Sequence, residues 1–178
     1  MDAALEQFRS APAMIIDVRM NGGGSDALAY AVAGRFFDAT RVVDYIQYRN
    51  GPGHSDFGPA QSRTVGPRGS WQFTRPVLLL IGRGCFSSNE SFIAAMRELP
   101  NVTVVGDTTG GGSGNPITYP LGGGWSYTVP RWIEYTPQMQ IIEWQGIAPK
   151  TVIPVSAVDW SAARDPVLDY AIAWAAGR

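Results

Sequence analysis

Apolar positions fall along the chain in runs that alternate between strand and helix periods. Residues 3–10 predict a short helix. Ala13 to Val18 predicts a strand that is apolar on both faces, which suits a parallel, covered sheet. Asn21-Gly22-Gly23-Gly24 breaks it, and Ser25 and Asp26 offer N-cap oxygens to a helix from about Ala27 to Phe37. Val42 to Tyr48 predicts a second strand. Val77-Leu78-Leu79-Leu80-Ile81 is the most hydrophobic run, and its continuity predicts a strand covered on both sides. The turn Gly82 to Phe86 ends it. A helix is then expected over Ser88 to Leu99, with Phe92, Ile93, Met96 and Leu99 forming one apolar face. Pro100 stops that helix, and Val102 to Val105 predicts another strand.

From Ile117 to about Glu143 the pattern turns to β, with Leu121-Gly122-Gly123-Gly124 as a hairpin turn. Asp165-Pro166 opens a terminal helix. Asn50 to Ser70 carries no periodicity and is expected to be a long loop that could shape a substrate groove. Strands alternating with helices, plus a β-rich insertion, predict an α/β fold. The 178 residues fit one domain. The start runs straight into a helical pattern with no signal peptide, so we expect a single catalytic-core domain over 1–178 that lacks an N-terminal segment.

Composition narrows the chemistry. Basic and acidic side chains nearly cancel, 14 against 15, so there is no basic field to hold a phosphate backbone and no nucleic-acid partner is expected. Lys150 is the only lysine and His54 the only histidine. A multi-histidine metal site within one chain is therefore excluded, and no metal is expected. Cys85 stands alone, so no internal disulfide forms. No apolar run reaches the ~20 residues that span a bilayer.

Three segments carry candidate chemistry. Phe86-Ser87-Ser88-Asn89-Glu90 follows a strand and tight turn and opens a helix. A serine there lies near the positive end of the helix dipole, and first-turn N–H groups could hold an oxyanion. An ordinary N-cap serine with Glu90 in the first turn is the competing reading. Asp17 to Gly24 ends in glycines that let a backbone approach a ligand closely. It serves equally as a tight strand-to-helix connection. Neither glycine run is followed by Lys-Ser/Thr, so a phosphate loop fails. In Glu143-Trp144-Gln145-Gly146, a carboxylate beside a turn could orient a base, or be merely solvated.

Taken in order, these segments resemble the C-terminal processing (tail-specific) protease family. Asp17 to Gly24 is similar to its Asp-Leu-Arg-x-Asn-x-Gly-Gly strand end, and Ser87 with Glu90 to its Ser-x-x-Glu. Gly106-Asp107-Thr108-Thr109 is similar to its Gly-Asp/Glu-x-Thr loop, and Gly146 to Pro149 to its Gly-Ile/Val-x-Pro turn. The resemblance implies a ClpP/crotonase-like spiral and Ser87 as nucleophile. It implies an oxyanion hole from the Ser88 N–H and one from Gly23 or Gly24, with no cofactor. It also implies a peptide or protein substrate, a periplasmic or extracellular location, and room for a homo-oligomer. The family's Ser-Lys branch keeps a lysine where Gly112 stands here, and Lys150 lies in another motif. The chain thus looks closer to the tricorn and retinoid-binding-repeat branch, whose base-orienting glutamate matches Glu143. No matching Ser-His pair is present; His54-Ser55 lies out of order. The leading expectation is a serine peptidase working through an acyl-enzyme. The alternative is a non-catalytic ligand- or peptide-binding module on the same fold, with the Trp125 to Tyr127 and Trp132 to Tyr135 aromatics either lining a pocket or packing in a β core.

Overall fold

The computed structural model describes residues 2–178. In chain order the first elements are α1 (Asp2–Gln7), β1 (Met14–Asp17), α2 (Asp26–Ala33), β2 (Arg41–Tyr48) and β3 (Gln61–Val65). Next come β4 (Val77–Ile81), α3 (Ser88–Arg97), β5 (Val102–Gly106), β6 (Ile117–Gly122), β7 (Trp125–Val129) and β8 (Trp132–Tyr135). The chain closes through β9 (Thr151–Val152), α4 (Ala157–Ser161) and α5 (Pro166–Ala176).

The apolar runs build the centre. A parallel sheet has the order β1-β4-β5-β9, with Met14 opposite Val77 and Val77 opposite Val102. All five β4 side chains are buried, as a strand covered on both faces requires. Val77, Leu79 and Ile81 point into the main core with Phe36, Phe37, Ile93 and Met96. Leu78 and Leu80 point the other way, onto Val167 and Ala171 of α5. That period of two divides the strand between two cores. A second, antiparallel sheet, β3-β2-β8, and a separate β6-β7 hairpin complete the α/β fold.

Several expectations need correction. The Asn50 to Ser70 segment is not loop throughout, because Gln61–Val65 forms β3 against β2. Its Gln-Ser-Arg-Thr-Val sequence is too polar to reveal a strand; pairing with β2 makes it one. Ser25 makes no side-chain cap bond to α2, and Asp26 instead meets Arg63 at 2.6 Å. Nor does α3 have a single apolar face: Ser88 through Met96 are all buried. It touches α2, β2 and β5, so its polar residues are enclosed with its apolar ones. The β7 aromatics are not core either. Trp125 is 74% exposed, and Tyr127 stacks on Tyr119 across the hairpin.

Candidate active site

Tight backbone geometry at the carboxyl end of β4 places the serine. Ser87 has φ 55° and ψ −132°, a left-handed conformation in a residue with a Cβ. Such strain costs ~1–3 kcal/mol and persists only where the surroundings hold it. Its side chain makes no cap bond, so Ser87 is not an ordinary N-cap. The Ser87 N–H donates to Gly112 O at 2.6 Å, and Ser87 O accepts the N–H groups of Glu90 and Ser91. The hydroxyl is hydrogen-bonded to no other side chain among the described residues.

The glycine loop after β1 closes on this turn. A Cβ on Gly23 would stand 2.7 Å from Ser87 Cβ and 2.8 Å from Phe86 O, and φ is +105° there, so both space and conformation demand glycine. The loop is clamped in place by Asn89, whose side-chain NH2 donates to Val18 O at 3.1 Å and Asn21 O at 2.9 Å. Of the two glycine amides, Gly23 N–H is taken by Asn21 Oδ1 at 2.9 Å. The N–H groups of Gly24 and Ser88 have no protein acceptor among the described residues. Gly24, Ser87 and Ser88 line one cavity of about 260 Å³ with Asp26, Ser113 and Trp132. The sequence-predicted Gly23, Gly24, Ser87 and Ser88 are thus brought together.

Behind Ser87, Glu90 is fully buried. Its carboxylate accepts the Thr109 hydroxyl at 2.5 Å and the N–H groups of Gly111 and Gly112 at 2.9 and 2.8 Å. This fixes the second glycine loop, and with it the Gly112 carbonyl that receives Ser87 N–H. Glu90 therefore anchors a loop rather than capping a helix.

Glu143 is not among the residues lining the cavity. Half-buried, it accepts the backbone N–H of Glu134 at 3.1 Å, and burial pushes its carboxyl up from the ordinary value. Lys150 and His54 are exposed, and neither lines the cavity. Sequence reading missed the polar cluster beside the cavity. Glu134, enclosed on β8, has its carboxyl pushed up to about 7, first by burial. It accepts Ser91 Oγ at 2.7 Å, Arg63 at 2.9 Å and the Ser113 hydroxyl. Arg63 also meets buried Asp44 at 2.5 Å, which in turn accepts the Tyr30 hydroxyl. The one available signal was a Glu alternating with Ile and Tyr in Trp132-Ile133-Glu134-Tyr135, too weak to choose a face.

The chain is similar to the carboxy-terminal processing protease CtpA of Bacillus subtilis, 28% identical over 145 residues, covering 80% of this chain and 28% of that protein. It is 27% identical over 180 residues to a Streptomyces coelicolor protein named as a tricorn protease homologue, covering 92% of this chain and 13% of the relative. A solved structure from Parabacteroides merdae, assigned as a peptidase, superposes with a TM-score of 0.88 at 35% identity, covering 98% of this chain and 55% of that one. This chain therefore spans under a third of those two curated relatives. Residues 1–153 match the model of peptidase family S41, and the chain belongs to that family.

Proposed function

We propose that this chain carries the nucleophile and oxyanion hole of a serine peptidase that cleaves peptide or protein chains through an acyl-enzyme. The observation that carries the reading is the strained Ser87 backbone beside two unpaired N–H groups in one cavity. Ser87 Oγ attacks the scissile carbonyl carbon, and the Ser88 and Gly24 N–H groups receive the developing oxyanion. The positive end of α3 adds to that stabilisation. The leaving amine takes a proton, and water then hydrolyses the ester. Of the two glycine amides considered, Gly24 fits better, because Asn21 already occupies Gly23. Glu143 acts from behind, holding β8 by the Glu134 N–H.

CtpA is a carboxy-terminal processing protease by name. Extended chain ends are accordingly the substrates to try first. Family resemblance supports action in the periplasm or outside the cell, and no helix among the described residues is long and apolar enough to cross a membrane. The test is a fluorophosphonate probe with Ser87→Ala as control. An adduct mapped to Ser87 and lost in the variant is expected. Equal labelling of both proteins would end the reading.

A further inference from the structure

The β6-β7 hairpin is a ribbon with one apolar face and one polar face. The apolar residues are Ile117, Tyr119 and Leu121 along β6, and Trp125, Tyr127 and Val129 along β7. The register sets Ile117 opposite Val129 and Tyr119 opposite Tyr127, so with a period of two these side chains share a face. Thr118, Pro120, Ser126 and Thr128 alternate onto the other. Such alternation marks a sheet that buries one side. Here that side is open. Leu121 is 71% and Trp125 74% exposed, and the other four lie between 38% and 48%. Neither strand joins another sheet, and a two-stranded ribbon alone is marginal in water.

Size, charge and shape say what covers it. At ~150–250 Å² for a large side chain, those exposures leave roughly 600 Å² of apolar surface, as much as a monomer ordinarily shows. Two such faces meeting bury ~1,200 Å², the lower edge of a stable interface. No charged side chain stands between Asp107 and Arg131. A face that meets its own copy sets like against like, and this one carries no charge to repel; nor does it offer a charge to a polar partner. Tyr119 and Tyr127 stack at 5.5 Å in the middle of the face. The most exposed residues, Leu121 and Trp125, stand at the turn, and the lower Ile117 and Val129 at the base. A two-fold rotation lays the turn end of one hairpin on the base of the other, with the tyrosine pairs at the axis.

We propose that this face is the contact of a two-fold dimer of this chain, the two hairpins packed as a sandwich. The same surface serves both subunits, and the ribbons stand ~10 Å apart. The contact does not depend on the chemistry of Ser87. It bears on the site through position, because Asn115 before β6 and Trp132 after β7 line the Ser87 cavity. The dimer contact steadies that wall of each cavity.

The test is sedimentation equilibrium of this chain over about 1–100 µM, a range suited to an interface of small area. The mass should rise with concentration to twice that of one chain. Trp125→Ser and Tyr127→Glu change exposed positions, so both should fold, as their thermal transitions will check, and both should stay monomeric throughout. Tyr127→Lys should also be monomeric alone. Mixed with Tyr127→Glu it should form a dimer again, because the two residues at position 127 lie beside the axis and now carry opposite charges. A wild-type chain that stays monomeric at the highest concentration overturns the proposal and leaves the face to a different occupant. A dimer that persists in both Trp125→Ser and Tyr127→Glu also overturns it, placing the contact on another surface such as the open strand edges. Absence of the mixed dimer overturns the two-fold arrangement.

Discussion

Replacing Ser87 by glycine should make the protein more stable while removing the reactivity proposed for that serine. At φ 55° and ψ −132° the serine carries ~1–3 kcal/mol of backbone strain, which a glycine relieves. Glycine also loosens the unfolded chain, which takes back ~0.4–1 kcal/mol. The net gain is ~1 kcal/mol. Ser87→Ala keeps the strain, and because the side chain makes no cap bond, the change should stay within ~0.5 kcal/mol. Urea unfolding separates these outcomes. At a slope of ~2 kcal/mol per molar, Ser87→Gly should raise the midpoint by ~0.5 M, with no midpoint change in Ser87→Ala. An N-cap serine behaves in the opposite sense, losing ~1 kcal/mol on change to alanine. A lower midpoint for Ser87→Gly, or a drop of that size for Ser87→Ala, would refute the argument that the backbone is strained for reactivity.

Other perturbations test the supports. Glu90→Gln turns one acceptor oxygen into an NH2 facing a loop N–H, and should cost ~1–3 kcal/mol in urea unfolding together with slower Ser87 labelling; unchanged stability would show that the loop does not depend on this carboxylate. Gly23→Ala forces a Cβ into Ser87 Cβ and Phe86 O, and should abolish labelling in a protein that still folds; near-normal labelling would mean the loop does not close on the turn. The contribution of Glu134 to stability should depend on pH. Its carboxyl is raised from 4.5 to about 7 in the folded protein, so that contribution is full below 4.5 and is lost as pH rises towards 7. Glu134→Gln should flatten this slope between pH 5 and 8, and equal slopes in both proteins would count against the raised carboxyl.

What could be read in advance follows physical lines. The Val77 to Ile81 strand and the helix after it were legible because an unbroken apolar run in a short segment has few other uses. The Gly22 to Gly24 loop and Ser87 were legible because glycines and a strand–turn–helix join leave a local mark. β3 was not, because its strand character comes from pairing with β2 rather than from its own side chains. Trp125 and Tyr127 misled for the converse reason, since aromatic content says nothing about which sheet will cover it. Ser113 and Glu134 stand 21 residues apart. Nothing local joins them; the bond exists only because the Gly111–Gly112 loop and β8 fold onto α3.

The buried polar residues of α3 give that helix a second task. Asn89, Glu90 and Ser91 are consecutive, so at 3.6 residues per turn they point ~100° apart. Asn89 holds the loop after β1, Glu90 holds the loop after β5, and Ser91 holds Glu134 on β8. One turn of helix therefore ties three walls of the cavity to the residue that starts it, Ser87. Enclosing three polar side chains costs free energy unless they are hydrogen-bonded; each makes such bonds here, and only the Asn89 Oδ1 is left without a partner among the described residues. The arrangement also ranks the damage. Loss of Asn89 should release the oxyanion side, loss of Glu90 the Gly112 carbonyl, and loss of Ser91 only one of several bonds to Glu134. A helix chosen for packing alone would place apolar residues at all three positions and gain stability, so their polarity is better explained by the geometry they impose on Ser87.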